Sequence, residues 1–213
     1  MKGHFDPIHF KCDPRETPLI HQPPATFPFK PLYLPTEQIQ AQIERRLPSY
    51  ERGSALVEAY LENTSWLAKP VDREQITDEL MAQIYRRKSV LHGAADEPDR
   101  THPHTLALLL AIFAVGAAAD MTLPPWNEES DLYYHLSWTA IGLESLFNGT
   151  NLHTIQTLAV IGVYDIFSCR KRSLESSWKI VNFCVLLAAS VSTFNESRPK
   201  SMLIHCSDWI AFV

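Results

Sequence analysis

The chain is poor in glycine, with seven among 213 residues. Strand-rich folds spend glycine at hairpins and bulges, so this scarcity disfavours a sandwich or barrel. There is no excess of positive charge either. Nineteen Lys and Arg stand against 24 Asp and Glu, a net charge of −5, which excludes a chain-wide attraction to nucleic acid or anionic lipid. Four cysteines, at 12, 169, 184 and 206, contain no C-x2-C pair. Neither a disulfide framework nor a zinc site is indicated, and free, buried or half-buried thiols are expected. The first twenty residues, MKGHFDPIHFKCDPRETPLI, hold no apolar stretch and no cleavage signature, so no secretory signal is expected and a reducing intracellular compartment is the default.

A membrane-length apolar run is also missing. The longest, Leu106 to Ala119, contains six alanines and a glycine and stops at Asp120 and Pro124. As a helix it rises roughly 21 Å against a hydrocarbon core of about 30 Å. A helix packed on several sides inside a core is the reading that remains.

What the chain does have is proline at one end and helical periodicity after it. Eight of the fifteen prolines fall in residues 1–35, where too few backbone donors remain for helix or sheet, and an extended arm is expected. From Pro35 the apolar spacing turns helical. A first helix starts near Thr36 with Ile39 and Ile43 four apart and ends before Pro48. Ser49 is an N-cap for a second, striped by Val57, Tyr60, Leu61 and Leu67. Asp72 and Gln75 have the spacing of a capping box ahead of Ile76, Leu80 and Ile84. After the apolar run, Asn127 caps a helix with Glu128, Glu129 and Asp131 in its first turn and Leu132, Leu136, Ala140 and Leu143 as its stripe. Asn151 caps a helix that is apolar almost all round from Leu152 to Phe167. Ser173 opens a last one, with Trp178, Val181, Val185 and Ala188 on one face. Gly116 and Gly162, inside helices, are expected at close helix crossings. No strand-like alternation and no 30- to 45-residue repeat competes. The fold class expected is all-α: an irregular bundle of about seven helices behind a Pro-rich arm. The divisions are 1–35 (linker or arm), 36–191 (helical domain) and 192–213 (divergent tail).

Three blocks, AYLENTSWLAKPVDREQITDELMAQIY, LALLLAIFAVGAAADMTLPPWNEESDLYYHLSWTAIGL and LHTIQTLAVIGVYDIFSCRKRSLESSWKIVNFCVLLAASV, resemble the fungal-specific transcription factor domain. This is the middle homology region of fungal zinc binuclear-cluster regulators. The resemblance covers roughly residues 55–191, in the order of a Leu/Ala-rich helix, an acidic-started aromatic helix, a Q-x-L helix and a tryptophan helix. It implies an all-α fold, a nuclear location, a regulatory role in transcription by RNA polymerase II, and no enzymatic activity. The partners it implies are proteins of the transcription machinery or a DNA-binding part of the same protein. Relatives carry a six-cysteine cluster that binds two zinc ions and places a helix in the major groove. The spacing of that cluster is missing here, so zinc and direct DNA contact are expected only outside this chain. Relatives also continue past the tryptophan helix with a histidine-arginine turn and further helices, which leads to the expectation of a truncated domain, its apolar faces around Ile161 and Val185 losing cover.

Several constellations are candidate sites. His102 and His104 with Asp120 make a metal set only if a helix more than 20 Å long did not separate them. His4, His9 and Cys12 sit in the arm, and His205 and Cys206 have no partner scaffold for nucleophilic catalysis. The basic runs Arg86–Lys88 and Arg170–Arg172 follow helices, whose C-terminal ends favour cations, and the acidic run from Glu128 suits a helix start. Trp126, Tyr133, Tyr134 and Trp138 form either core or an aromatic pocket. The pocket carries the alternative function, a small helical ligand-binding protein or enzyme. No catalytic, cofactor-binding or metal-binding residue is assigned.

Overall fold

Ser49, Asn127 and Asn151 start helices as their side chains predict. The computed structural model describes residues 36–64, 69–90, 101–124, 127–146, 150–168 and 173–194. Among them are seven α-helices: α1 (Thr36–Arg45), α2 (Tyr50–Thr64), α3 (Ala82–Val90), α4 (Pro103–Ala119), α5 (Glu128–Ile141), α6 (Leu152–Ser168) and α7 (Ser173–Phe194). Ser49 Oγ accepts from Arg52 N at 3.2 Å, Asn127 Oδ1 from Ser130 N at 2.7 Å and Asn151 Oδ1 from Thr154 N at 2.9 Å. Each acceptor satisfies a backbone donor that the first helical turn leaves orphaned. Asn127 does a second job: its Nδ2 donates to Ala117 O at 2.8 Å, so one side chain closes α4 and opens α5.

α4 is the centre. From His104 to Ala119 every residue but Ala118 is buried, and α4 packs against α2, α5 and α6 and against the helical turn ahead of α3. A helix apolar on all sides has no solvent face to offer and is stable only when enclosed. Its small residues allow that enclosure to be tight. A Cβ on Gly116 would lie 2.1 Å from Leu56 O and 2.9 Å from Leu56 C, so the backbones of α2 and α4 touch there. Ser137 of α5 donates to Ala107 O at 2.9 Å. The same device recurs where α7 meets α6: Ser177 Oγ donates to Gly162 O at 2.9 Å. Both glycines therefore sit at crossings, as expected.

Three details differ from the sequence reading. The Asp72–Gln75 capping box is not formed. Asp72 pairs with Lys69 at 3.0 Å, and the Gln75 amide crosses to Gln156 on α6, with Nε2 to Oε1 at 3.0 Å and the return bond at 2.9 Å. The helix there is not α throughout, because Gln75–Met81 is a π-helical segment running straight into α3. Its apolar set is Ile76, Leu80, Met81 and Ile84, all buried. In regular α geometry Ile76, Leu80 and Ile84 share a face but Met81 lies about 140° from Ile76, and the wider i→i+5 turn brings Met81 round toward it.

The third difference is the face of α7. Trp178 is 50% exposed; the buried set is Ser177, Val181, Cys184, Leu187 and Ala188, which keeps Val181 and Ala188 of the predicted stripe but rotates the face toward Ser177 and Cys184, with Val185 only partly covered. The hydrogen bond of Ser177 to Gly162 draws that rotation, and Cys184 Sγ lies 3.8 Å from Ile155 O. Ile161 is buried. Residues 1–35, Leu67, Trp126, Cys12, Cys169, Cys206 and the tail from 195 lie outside the described residues.

Replacing Gly116 by alanine sets a methyl group against backbone atoms that no rotamer change can move. We expect Gly116→Ala to cost about 3 kcal/mol, the upper range for overpacking, read as a lowered midpoint in denaturant unfolding. A midpoint within experimental error of the wild type would disprove the backbone contact.

Candidate functional site

Polar side chains are expelled from the middle of α4 and collect at its two ends. At the N-terminal end, His102 is the N-cap, with Nδ1 accepting from His104 N at 3.2 Å, and Pro103 takes the first helical position, where its missing N–H costs nothing. His102 Nε2 reaches Glu144 at 3.0 Å. His104 is fully buried. Its Nε2 lies 3.2 Å from Ile141 O, at the end of α5, and its Nδ1 lies 2.7 Å from Thr154 Oγ1, in the first turn of α6.

These contacts set the tautomer. A carbonyl only accepts, so Nε2 carries the hydrogen; in the neutral ring Nδ1 is an acceptor facing the Thr154 hydroxyl, whose one hydrogen is shared between it and Asn151 Oδ1 at 2.9 Å. One imidazole thus joins the start of α4, the end of α5 and the start of α6. Beside it, Thr105 Oγ1 lies 2.9 Å from His153 Nδ1. Burial holds His104 below its ordinary pKa, aided by neighbouring His102 and opposed by Glu144 and the carbonyls of Ile141 and Glu144. Burial lowers His153 as well, opposed by Glu79, with His102 adding to the shift.

At the C-terminal end the constellation is charged. Arg52 of α2 makes a two-pronged contact with Glu129 of α5, Nε to Oε1 at 3.2 Å and Nη2 to Oε2 at 2.7 Å, and reaches Asp120 Oδ2 at 3.5 Å. The fork geometry of guanidinium on carboxylate fixes both direction and distance. The hydrogen bond to Glu129 raises the Arg52 pKa against the cost of burial. Burial works against the charge of Asp120, but hydrogen bonds from Thr122 and the nearby Arg52 outweigh it and hold the carboxyl below its usual range.

A third polar set ties α5 to α6. Tyr134 and Tyr164 stack with ring centroids 4.4 Å apart, and each hydroxyl crosses to the other helix: Tyr134 to Asp165 at 3.1 Å and Tyr164 to Asp131 at 2.8 Å. This reciprocal arrangement divides the aromatic residues suggested as a pocket. Tyr133 packs on Phe113 of α4 at 5.6 Å, whereas Tyr134 lies between Tyr164 and Trp138, the latter at 6.3 Å. They fill two different interfaces.

The structure also keeps His102 and His104 apart from Asp120. Sixteen residues of helix separate His104 from Asp120, about 24 Å at 1.5 Å per residue, and each pole uses its groups locally. Among the described residues, no group of three or more histidine, cysteine, aspartate or glutamate side chains could hold a metal ion. No helix among them is long and apolar enough to cross a membrane. His4, His9, Cys12, His205, Cys206 and the Arg170–Arg172 run lie outside the described residues, and Arg86 is exposed at its helix surface.

Sequence reasoning did not single out Arg52, Thr154 or His153. The partners of Arg52 are 77 and 68 residues away, and nothing local announces them. Thr154 had a local sign, since it stands three residues after an N-cap asparagine, where its hydroxyl faces the helix start.

Among the described residues, the hydroxyl of Tyr60 on α2 stands outside these networks. The Tyr60 hydroxyl is buried without a hydrogen-bond partner, and burial pushes its pKa well above the ordinary tyrosine value.

Against this geometry stand the comparisons with known proteins. The family model described as the fungal specific transcription factor domain matches residues 58–201. The match takes in the π-helical segment, α3 to α7 and the histidine pole, leaves Arg52 of the charged pole just outside it, and runs ten residues past the end of the resemblance read from the sequence. No curated protein and no solved structure matches the chain significantly.

Two outcomes follow from the buried groups. His104 and His153 have folded-state pKa values below the unfolded value near 6.5, so the unfolded chain takes up protons first as pH falls. The stability they confer is complete above that value and drains away as pH descends toward the folded values, at up to about 1.4 kcal/mol per pH unit for each histidine. Denaturant midpoints at pH 7.5 and 5.5 should show the loss, and His104→Gln should flatten it; equal slopes in the two proteins would refute the assignment. Tyr60→Phe removes an unsatisfied hydroxyl at nearly constant shape and should raise unfolding free energy by about 1 kcal/mol. A fall in stability would mean that the hydroxyl has a partner.

Proposed function

We propose that this chain, which belongs to the fungal specific transcription factor domain family, acts as a regulatory, non-catalytic module of a transcription factor working with RNA polymerase II in the nucleus. The family match across more than half of the chain carries the reading; that family is not an enzyme family. The side-chain chemistry supports it. The histidines, the Arg52 carboxylate cluster and the tyrosine–aspartate pairs each join helix to helix, and such groups serve packing and orientation. A nucleophile, a base and an acceptor for developing charge around one open position, which catalysis requires, are not among them.

DNA contact belongs to another part of the regulator. The zinc cluster of relatives uses six cysteines, and the four of this chain are too few to form it. No step of the mechanism runs through zinc here. The chain's own partners are proteins: components of the transcription machinery or the DNA-binding part of its own factor. The net charge of −5 suits contact with basic protein surfaces better than contact with phosphate.

The test is a tethering assay. The full chain is fused to an unrelated DNA-binding module in fungal cells carrying a reporter under that module's site. Reporter output should change several-fold, up or down, relative to the module alone. Unchanged output from a fusion shown to be stable and nuclear would remove the regulatory reading.

A further inference from the structure

The π-helical segment Gln75–Met81 holds more chain than a regular helix needs between its two anchors. The first anchor lies at its start. Gln156 of α6, 8% exposed, uses its whole amide there: Nε2 donates to Pro70 O at 2.9 Å and to Gln75 Oε1 at 2.9 Å, and Oε1 accepts from Gln75 Nε2 at 3.0 Å. Ile76 is buried next to that pair in sequence. The second anchor lies beyond the segment. Met81 and Tyr85 meet α2 at Gly53, where a Cβ would be 2.8 Å from the Tyr85 hydroxyl and 3.3 Å from Met81 Cε. Tyr85 also donates to Pro48 O at 3.1 Å.

The two anchors are one residue out of α register. At about 100° per residue, an α-helix that kept Ile76 in place would turn Met81 about 140° and Tyr85 about 180° away from it. Removing one residue between Ile76 and Leu80 would bring Ile76, Leu80, Met81, Ile84 and Tyr85 to i, i+3, i+4, i+7 and i+8, a single α-helical face. The extra residue is stored as the wide turn.

We propose that Gln75–Met81 is a register switch. It holds one residue in reserve, and the Gln75–Gln156 amide pair is the catch that keeps it in the π form. Opening the catch lets the segment relax to α geometry. With Met81 and Tyr85 still seated on α2, relaxation turns the part ahead of the segment by one residue, about 100°, and withdraws it from α6. The device couples the α6 surface to the start of α3, and it stands independently of the transcriptional reading. The catch is strong because a broken pair leaves the buried Gln156 oxygen without that donor and its amide with only Pro70 O, which is costly. The turn of the part ahead must also release Arg73 from Glu58 of α2, an exposed pair. Two packings that differ by one register step are the kind of bistable element from which conformational transitions are built.

Deletion of Asp78, an exposed residue of the segment, removes the reserve while keeping both anchors. The deleted chain should fold cooperatively and melt within about 3 °C of the wild type or above it. Deletion of Glu58 from regular α2 misplaces Tyr60 and Leu61 and should abolish cooperative melting. Gln75→Ala should speed backbone hydrogen exchange across residues 73–84 by about tenfold in the full-length chain, where there is a register to release. In the Asp78 deletion the same substitution should change exchange less than about twofold. An Asp78 deletion as damaged as the Glu58 deletion overturns the proposal, and so does Gln75→Ala acting equally in both backgrounds.

Discussion

The contact between the backbones of α4 and α2 at Gly116 and Leu56 is the constraint on which the rest of the molecule depends. α4 is apolar around its full circumference and must be covered on every side. Covering it completely requires neighbours at backbone distance, and only a residue without a side chain allows that approach. The alanines at 107, 111, 114 and 117, all buried, extend the same logic along the helix. The gain is close packing against several helices at once, with each fully buried leucine contributing roughly 1.5–3 kcal/mol.

Enclosure creates a second problem, which the ends of α4 solve in different ways. The first amides and last carbonyls of a helix lack internal partners, and at the ends of a buried helix water is scarce. At the N-terminal end the partners are two histidines. His102 caps, and His104 reaches Ile141 O and Thr154. A neutral imidazole is suited to the place because the starts of α4 and α6 both present positive dipole ends that disfavour a cation. At the other end Asn127 takes the carbonyl of Ala117, and the charges of Asp120 and Glu129 are answered by Arg52 from α2. These charges are partly exposed, so they direct the geometry of the helix ends more than they add to stability.

Much of this was legible in the order of residues. Number and placement of the helices follow from the apolar spacing, and Ser49, Asn127 and Asn151 mark helix starts through side-chain chemistry that acts within three residues. The all-round burial of α4 was legible for the same reason, since no polar stripe interrupts it. What escaped is governed by partners distant in sequence. The Asp72 and Gln75 box has the right spacing, but a buried glutamine 81 residues away competes for Gln75 and wins. The stripe of α7 was right at Val181 and Ala188 but wrong at Trp178 and Val185, because Ser177, a polar residue, turns inward to meet a carbonyl exposed at a close crossing. Spacing alone treats serine as a surface residue. Which neighbours the aromatic residues meet was not legible either: adjacent tyrosines on a helix point about 100° apart, so Tyr133 faces α4 and Tyr134 faces α6.

The same reasoning bears on how such a body can regulate. The polar groups described at its two poles and between α5 and α6 run from helix to helix, and what they set is shape. A core packed at backbone contact transmits displacement poorly by deformation and well by discrete steps. The place for such a step is an element held by few, specific bonds rather than by the dense packing around Gly116. The π-helical turn also buries Ile76, Leu80 and Met81 and touches α4, but its start is fixed to α6 by one amide pair, and that start meets the description as α4 does not. A regulatory domain of this build keeps its centre rigid so that change at its periphery has something to move against.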